Sequence, residues 1–568
     1  MGLEFICGSA GSGKSTYLYR QICDEAAAHR ERNYYILVPD QFTLETQKTL
    51  VEMSGEKGIL NIDVLSFHRL AFRAFEQFPA EQKTILEDMG KTMLLRKIFS
   101  EQKDNLVYFK KGIDRPGFLD ECKSFLCELE QYGIRETEQF EKMETLGRKF
   151  EDIRLIHDCF KEKMGDTYQM AEELVTQLTG MIEQMDGIRD SVVCFDGFTG
   201  FTPTQYDLLE KMMRLCSRVI VTVTTDETGK RGSVFEIADT TMRTLMQKAN
   251  QIPIETNLIL VPREGRKAPY RFAEGGEMAF LERNLFAYPY QKWNQKTENM
   301  WLYIGDKPAS EAAYVAKTIW WMLAKGEYAE EEIAVVTGSI SSYEQSISRE
   351  FDRAGIRYFL DNKKNIGANW IAEYIQSVLE MYRYNMDAAT TFRFLRCGLS
   401  PLTRSETDLL ENYVLATGKR GIASYMKPWR ARANDYPLEE INEIREKVTN
   451  CIHDFFLELR GGKKPVEKFV RALYDFLVQQ NVYDRMLEQS RIFEEEGETL
   501  LAKEYKNVYK VVMNLLDEMM ELLGKEVVSL EEFEQILSAG IAEGLVGFVP
   551  PKQHQILVGD IERTRLKD

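Results

Sequence analysis

Gly8-Ser9-Ala10-Gly11-Ser12-Gly13-Lys14-Ser15 stands between an apolar run and an amphipathic one, and its reading decides the fold. Residues 3–7 (Leu-Glu-Phe-Ile-Cys) have the composition of a buried strand, and residues 16–28 that of a helix. Glycines in such a loop let successive backbone N–H groups turn inward around a phosphate, and the following helix adds the partial positive charge of its N-terminus. The spacing puts Lys14 within reach of β- and γ-phosphates and the Ser15 hydroxyl at a bound Mg²⁺. A chance glycine-rich turn is disfavoured because strand, loop and helix occur in the required order. Gly8, Gly11, Ser12, Gly13, Lys14, Ser15 and Thr16 are therefore the nucleotide-binding candidates, with ATP and Mg²⁺ as the expected ligands.

Working outward, residues 34–38 (Tyr-Tyr-Ile-Leu-Val) read as a second buried strand and 62–65 as a third, with a helix over 41–53 between them. This alternation predicts a parallel sheet with right-handed crossovers. Between about 75 and 190 the apolar spacing changes to three and four residues, as in 91–99 and 150–163, which predicts a helical insertion with few strands. The sheet is expected to resume at 191–195 and 218–224. A third region opens near Trp301, with a helix over 309–325, strands over 332–337 and 356–360, and a helix over 343–354. Helical signals return from 372 to about 540, and 555–558 is the last strand candidate.

The expected architecture is α/β. It comprises two halves with parallel sheets: residues 1–75 with 190–295, interrupted by helices 76–189, and 296–371 with 541–568, interrupted by helices 372–540. Residues 555–568 begin another strand–loop–strand, so the second sheet is expected to be incomplete and the chain a fragment of a longer protein.

A nucleotide site of this kind needs a second element, a buried strand ending in an acid that helps orient the metal. Val192-Val193-Cys194-Phe195-Asp196 supplies it, and Asp196 with Ser15 forms the expected Mg²⁺ pair. An active helicase ATPase normally follows this Asp with Glu, the base that activates water. Gly197 stands here instead and cannot accept a proton, so nucleotide binding with weak or no hydrolysis is expected and no catalytic residue is assigned.

Three strand-end loops share the ligand edge of such a sheet. They carry Gln41 and Thr43, then Phe67, Arg69 and Phe72, then Phe198 and Phe201. Aromatics at this edge stack on bases, and Arg, Gln and Thr bond phosphates or base edges. Core packing is the alternative role for each phenylalanine, and a satisfied loop histidine is the expected role of His68.

Composition excludes several classes. The formal charge of −17, from 73 basic and 90 acidic residues, argues against a nonspecific DNA-coating protein but leaves room for a local basic channel. Nine cysteines without a Cys-x-x-Cys pair, beside five histidines, argue against a zinc site and fit a reducing cytoplasmic location. No apolar run is long enough to cross a bilayer, so no membrane partner is expected.

Taken together, the sequence resembles the B subunit of the bacterial ATP-dependent helicase/deoxyribonuclease, the AddB (RexB) family. The matching pieces are the phosphate loop, Val-Pro-Asp-Gln-Phe-Thr at 38–43, Ser-Phe-His-Arg-Leu-Ala at 66–71 and Asp-Gly-Phe-Thr-Gly-Phe-Thr-Pro at 196–203. Ile-Arg-Tyr-Phe-Leu-Asp at 356–361, Glu-Asn-Tyr-Val-Leu-Ala at 411–416 and Val-Gly-Asp-Ile-Glu-Arg-Thr-Arg at 558–565 follow in the same order. The resemblance implies two RecA-like domains of the superfamily-1 helicase type, each with a helical insertion. It implies an A-subunit partner that supplies helicase drive, action on double-stranded DNA ends in recombinational repair, and reading of the Chi sequence in single-stranded DNA. The family's Chi-contacting groups would fall on Gln41, Thr43, Phe67, Arg69, Phe72 and one of Phe198 and Phe201. The family's nuclease and its iron–sulphur cluster lie in a C-terminal region beyond these residues, and no ligands for them are assigned here. Two rival readings remain from the residues alone: an autonomous P-loop ATPase or kinase, and an inactive scaffold whose loop no longer binds nucleotide.

Overall fold

The computed structural model describes residues 1–568 apart from 56–60, 79–82, 114, 116, 135–147, 227–230, 262–264, 361–363, 432–435, 547–554, 562–563 and 565–568. Strand β1 (Gly2–Gly8) leads through the glycine loop into helix α1 (Lys14–Ala28). Strand β2 (Tyr34–Leu37) leads into α2 (Thr43–Ser54), and β3 (Ile62–Leu65) into α3 (Phe67–Gln77). After the helical segment come β4 (Val192–Phe195), α4 (Pro203–Leu215), β5 (Arg218–Thr224), α5 (Glu236–Ala249) and β6 (Glu255–Leu260). These six strands form one parallel sheet in the order β3-β2-β4-β5-β1-β6. Strand register puts Leu65, Leu37, Phe195, Val221, Phe5 and Leu258 in one row, so the loops that follow β1 to β4 emerge along a common edge.

The sheet is covered on both faces because its strands are apolar at odd and even positions alike. Phe5, Tyr35, Leu37, Val193 and Phe195 point into a core shared with Leu70, Leu208, Met212 and Leu245. Ile6, Tyr34, Ile36, Val192 and Cys194 point the other way, against Leu18, Ile22 and Leu50 of α1 and α2. The first four expected strands appear within a residue or two of their sequence positions. β6 escaped the sequence reading, because an edge strand that begins Glu-Thr-Asn and is exposed along most of its length carries little apolar signal.

The second αβ unit is smaller. Strands β7 (Ala334–Thr337), β8 (Tyr358–Leu360) and β9 (Ile556–Asp560) form a parallel sheet with β9 in the centre. Ala312, Ala316 and Ile319 of helix Pro308–Ala324 and Ile347 and Phe351 of helix Ile340–Ala354 share its core.

The two helical segments pack against each other. Their buried side chains form one continuous core, from Leu86 and Met93 in the first segment to Leu537 and Ile541 in the second. Helix Asp88–Gln102 is its pivot. Gly90 through Leu95 and Lys97 through Phe99 are all buried, including Lys91 and Lys97, and a helix buried all round belongs inside a core. Arg96 donates to Gln535 at 2.9 Å, Ser100 to Glu532 at 3.1 Å, and Lys123 pairs with Glu543 at 2.6 Å across the junction. The first segment also contains a parallel pair of short strands, Thr84–Leu86 and Tyr168–Met170, that the helical spacing masked.

Glu518, on helix Thr499–Leu523, lies against Gly90 at this junction. Burial, reinforced by the Glu87 and Glu521 charges, pushes its carboxyl up to about 7. A carboxyl raised in the folded state holds its proton more tightly there than in the unfolded chain, so stability is lost as pH rises from the ordinary carboxylate range through about 7. Glu518→Gln is therefore expected to stabilise the protein at pH 8 by roughly 1–3 kcal/mol and to have little effect at pH 4. Denaturant melts at the two pH values check this, and an equal effect at both contradicts it.

Candidate functional site

The loop after β1 bends through two residues in the left-handed region, Gly11 at φ 72° and Gly13 at φ 85°. Side chains are strained there, which is the physical reason for glycine. A Cβ at Gly8 would collide with the Ser12 hydroxyl, so Gly8 is required by close approach. Ser12 Oγ is itself buried with no hydrogen-bond partner among the described residues. Helix α1 starts at Lys14, and its N-cap Gly13 supplies no side-chain acceptor to the first turn. Lys14 Nζ donates to the carbonyls of Gly8 at 3.1 Å and Ser9 at 2.9 Å, which holds the ammonium over the loop. A helix N-terminus without a side-chain cap and an ammonium held over a glycine turn have the chemistry of an anion cradle, which suits a polyphosphate.

Asp196, just past β4, is 1% exposed. Its Oδ1 accepts from Ser15 Oγ at 3.0 Å and from Thr222 Oγ1 at 2.7 Å, and its Oδ2 accepts from Tyr19 OH at 2.6 Å. The two residues expected to hold Mg²⁺ are thus in direct contact across the sheet. Both offer hard oxygen donors of the kind Mg²⁺ requires. Among the described residues there is no cluster of three or more His, Cys, Asp and Glu side chains suited to another metal. Gly197, at φ 79° and exposed, follows the acid. Behind the loop, burial raises the Cys7 thiol to about 11, which keeps it protonated and inert at neutral pH.

The strand-end loops divide by exposure. Gln41, Arg69 and Phe72 are exposed, with Phe72 at 39%. Thr43 is buried at the start of α2 and donates to the Asp40 carbonyl at 3.0 Å. Phe67 is 6% exposed at the centre of an aromatic cluster, with ring centroids 5.9 Å from Phe195, 5.3 Å from Phe198 and 6.4 Å from Phe201. Phe198 and Phe201 are half-buried and 5.3 Å apart, and Phe201 also borders an open cavity of about 530 Å³ with Tyr206 and Ile237. Ser66 caps α3 by accepting from Arg69 N at 3.3 Å, which starts the helix at the sheet edge and turns Arg69 and Phe72 outward, three residues apart on one face.

Residues 5–282 match the family model described as ADDB, N-terminal. Over its whole length the chain is 38% identical, across 587 aligned residues, to the B subunit of the ATP-dependent helicase/deoxyribonuclease of Lachnoclostridium phytofermentans. It is 33% identical to the protein of the same name from Clostridium novyi and 31% to that from Acetivibrio thermocellus. The chain belongs to the AddB family. It spans about half the length of the curated relatives it matches: the alignments cover 100% of this chain and 51%, 50% and 51% of the three relatives.

Two groups in this AddB-family site had no sequence signal. Tyr19 lies one turn past the loop on the buried side of α1, and Thr222 looks like any alternating strand residue. Only the pairing of β4 with β5, which sets Phe195 beside Val221, brings Thr222 to Asp196. His68 is satisfied, as expected, by Asp40 at 3.2 Å.

That hydrogen bond chiefly raises the His68 pKa and lowers that of Asp40. Below the ordinary histidine value of 6.5 the imidazolium member of the pair is fully formed, and its stabilisation fades as pH rises through the raised value. The Asp40 contribution is present above the ordinary carboxylate value of 3.8 and fades as pH falls through the lowered one. Asp40→Asn is expected to bring the His68 titration back toward the ordinary value. NMR of the histidine ring protons measures it, and an unmoved midpoint contradicts the pairing.

Proposed function

We propose that this chain is the helicase-like part of the B subunit of a heterodimeric ATP-dependent helicase–nuclease that prepares double-strand DNA breaks for recombination. The observation that carries this reading is the common sheet edge, where the Lys14–Ser15–Asp196 constellation stands beside loops presenting Gln41, Arg69 and Phe72. On this reading the triphosphate lies on residues 8–16, held by the loop N–H groups and by Lys14, whose ammonium leaves the Gly8 and Ser9 carbonyls for the phosphates. Ser15 and Asp196 hold Mg²⁺, which neutralises phosphate charge when bound. Tyr19 and Thr222 keep the carboxylate aimed at Ser15.

Gly197 gives the water no base, so ATP acts mainly as a bound effector and an A subunit supplies helicase drive. Single-stranded DNA crosses the strand-end loops, with Arg69 on phosphate and Phe72 stacking on a base, while Phe67, Phe198 and Phe201 form the supporting platform for reading Chi. The β8-β9-β7 sheet fits a reduced second RecA-like domain. This assignment makes residues 1–75 with 190–295 and 296–371 with 541–568 the two RecA-like bodies. The relatives are named as one subunit of a larger enzyme, which supports a heterodimer, and a cytoplasmic site of action follows from DNA repair in bacteria. Among the described residues no helix is long and apolar enough to cross a membrane.

Calorimetric titration of ATP–Mg²⁺ is expected to give binding that Lys14→Ala weakens about tenfold or more. Equal, negligible binding by both proteins favours the scaffold reading instead. In the assembled heterodimer, Phe72→Ala is expected to cost about 1–3 kcal/mol in affinity for a single strand carrying the recognised sequence, with ATP binding intact. Arg69→Ala is expected to weaken the same binding and to reduce its salt slope by about one. Unchanged affinity in both variants overturns the DNA role of this edge. Phe67→Ala is a poorer probe, because it opens a cavity in the core and costs about 3–5 kcal/mol of stability.

A further inference from the structure

Residues 266–293 form a strap beside the phosphate loop. Arg271 N donates to the Gly11 carbonyl at 3.1 Å, and an added Cβ at Gly11 would stand only 2.7 Å from the Arg271 Cβ. Tyr270 approaches Gly13 in the same way, at 3.5 Å from an added Cβ. The strap is held in shape. Glu274 accepts from the backbone N–H groups of Lys267 at 2.6 Å and Ala268 at 2.9 Å. Arg231, 7% exposed, pairs with Asp226 at 3.2 Å and with Glu282 at 3.0 Å. The strap itself lines most of an open cavity of about 1140 Å³, which reaches the glycine loop at Ser9, whose carbonyl holds Lys14.

That volume exceeds what a drug-sized ligand ordinarily needs. One wall is aromatic: Phe280, on helix Glu277–Asn284, and Trp293 have ring centroids 5.2 Å apart. Trp293 Nε1 is buried without a hydrogen-bond partner among the described residues, an unmet donor of the kind a bound polar group satisfies. The lining carries Arg231, Lys267 and Arg283 beside Glu274 and Glu282, so its charges nearly balance.

We propose that this cavity holds the base and ribose of the nucleotide whose phosphates lie on residues 8–16, with Phe280 and Trp293 as the aromatic wall. The proposal rests on the nucleotide reading above and deepens it. The loop recognises any polyphosphate, whereas an aromatic wall recognises only ligands that carry a base, because stacking and apolar burial act on the ring system alone. The strap thus converts a phosphate cradle into a nucleotide site, and its backbone bond to Gly11 ties base recognition to loop geometry.

The test compares ATP with inorganic tripolyphosphate, both with Mg²⁺, on the full chain by calorimetry and by intrinsic tryptophan fluorescence. Wild type is expected to bind ATP more tightly than tripolyphosphate. Phe280→Ala and Trp293→Ala should each weaken ATP binding about tenfold while leaving tripolyphosphate unchanged, and Trp293→Phe should retain most of the ATP affinity. A fluorescence change produced by ATP and not by tripolyphosphate, and absent in Trp293→Phe, adds a readout that a folding defect does not mimic. If ATP binds and all three variants keep the wild-type ratio of the two affinities, the cavity does not hold the base and the nucleotide reading stands. If Phe280→Ala and Trp293→Ala lose both ligands alike, the wall acts on the fold and the proposal fails. If wild type binds neither ligand, both readings fall.

Discussion

Three hydroxyls converge on one buried carboxylate. Ser15, Tyr19 and Thr222 donate to Asp196, and by doing so they join the phosphate loop, the first helix and two neighbouring strands. A lone buried carboxylate is costly, and three short hydrogen bonds are what let it remain 1% exposed. The same bonds fix the geometry between Ser15 and Asp196 before any ligand arrives. Rearranging β4 against β5 would leave both a buried charge and an orphaned hydroxyl, so sheet order and the geometry around Asp196 constrain each other.

The opposite side of the strand ends shows a second constraint, the competition between packing and exposure. Phe67, Phe195, Phe198 and Phe201 form one aromatic cluster, and the more a ring contributes to that cluster the less of it is exposed. Phe72 escapes because it lies further along α3, on the face that also carries Arg69. The edge thus combines buried rings that pack together with the exposed side chains of Gln41, Arg69 and Phe72.

Away from the sheet, helix Asp88–Gln102 joins the two helical segments into one core, with Glu518 set against its glycine turn. The two halves of the chain are therefore mechanically continuous through their helices.

The glycine loop after β1, the main parallel strands and the acid that closes β4 were legible in the sequence, because each is encoded locally. Glycines mark left-handed backbone, continuous apolar runs mark strands covered on both faces, and an acid closing such a run marks a strand end. Gly197, directly after Asp196, offers no side chain that could accept a proton. Tertiary structure alone decided the rest. Tyr19 and Thr222 reach Asp196 through strand register, Phe67 is buried while Phe72 is exposed, β6 is a polar edge strand, and two helical segments distant in sequence share one core. These features depend on which surfaces meet after folding, and apolar periodicity records only that a face is buried, not what buries it.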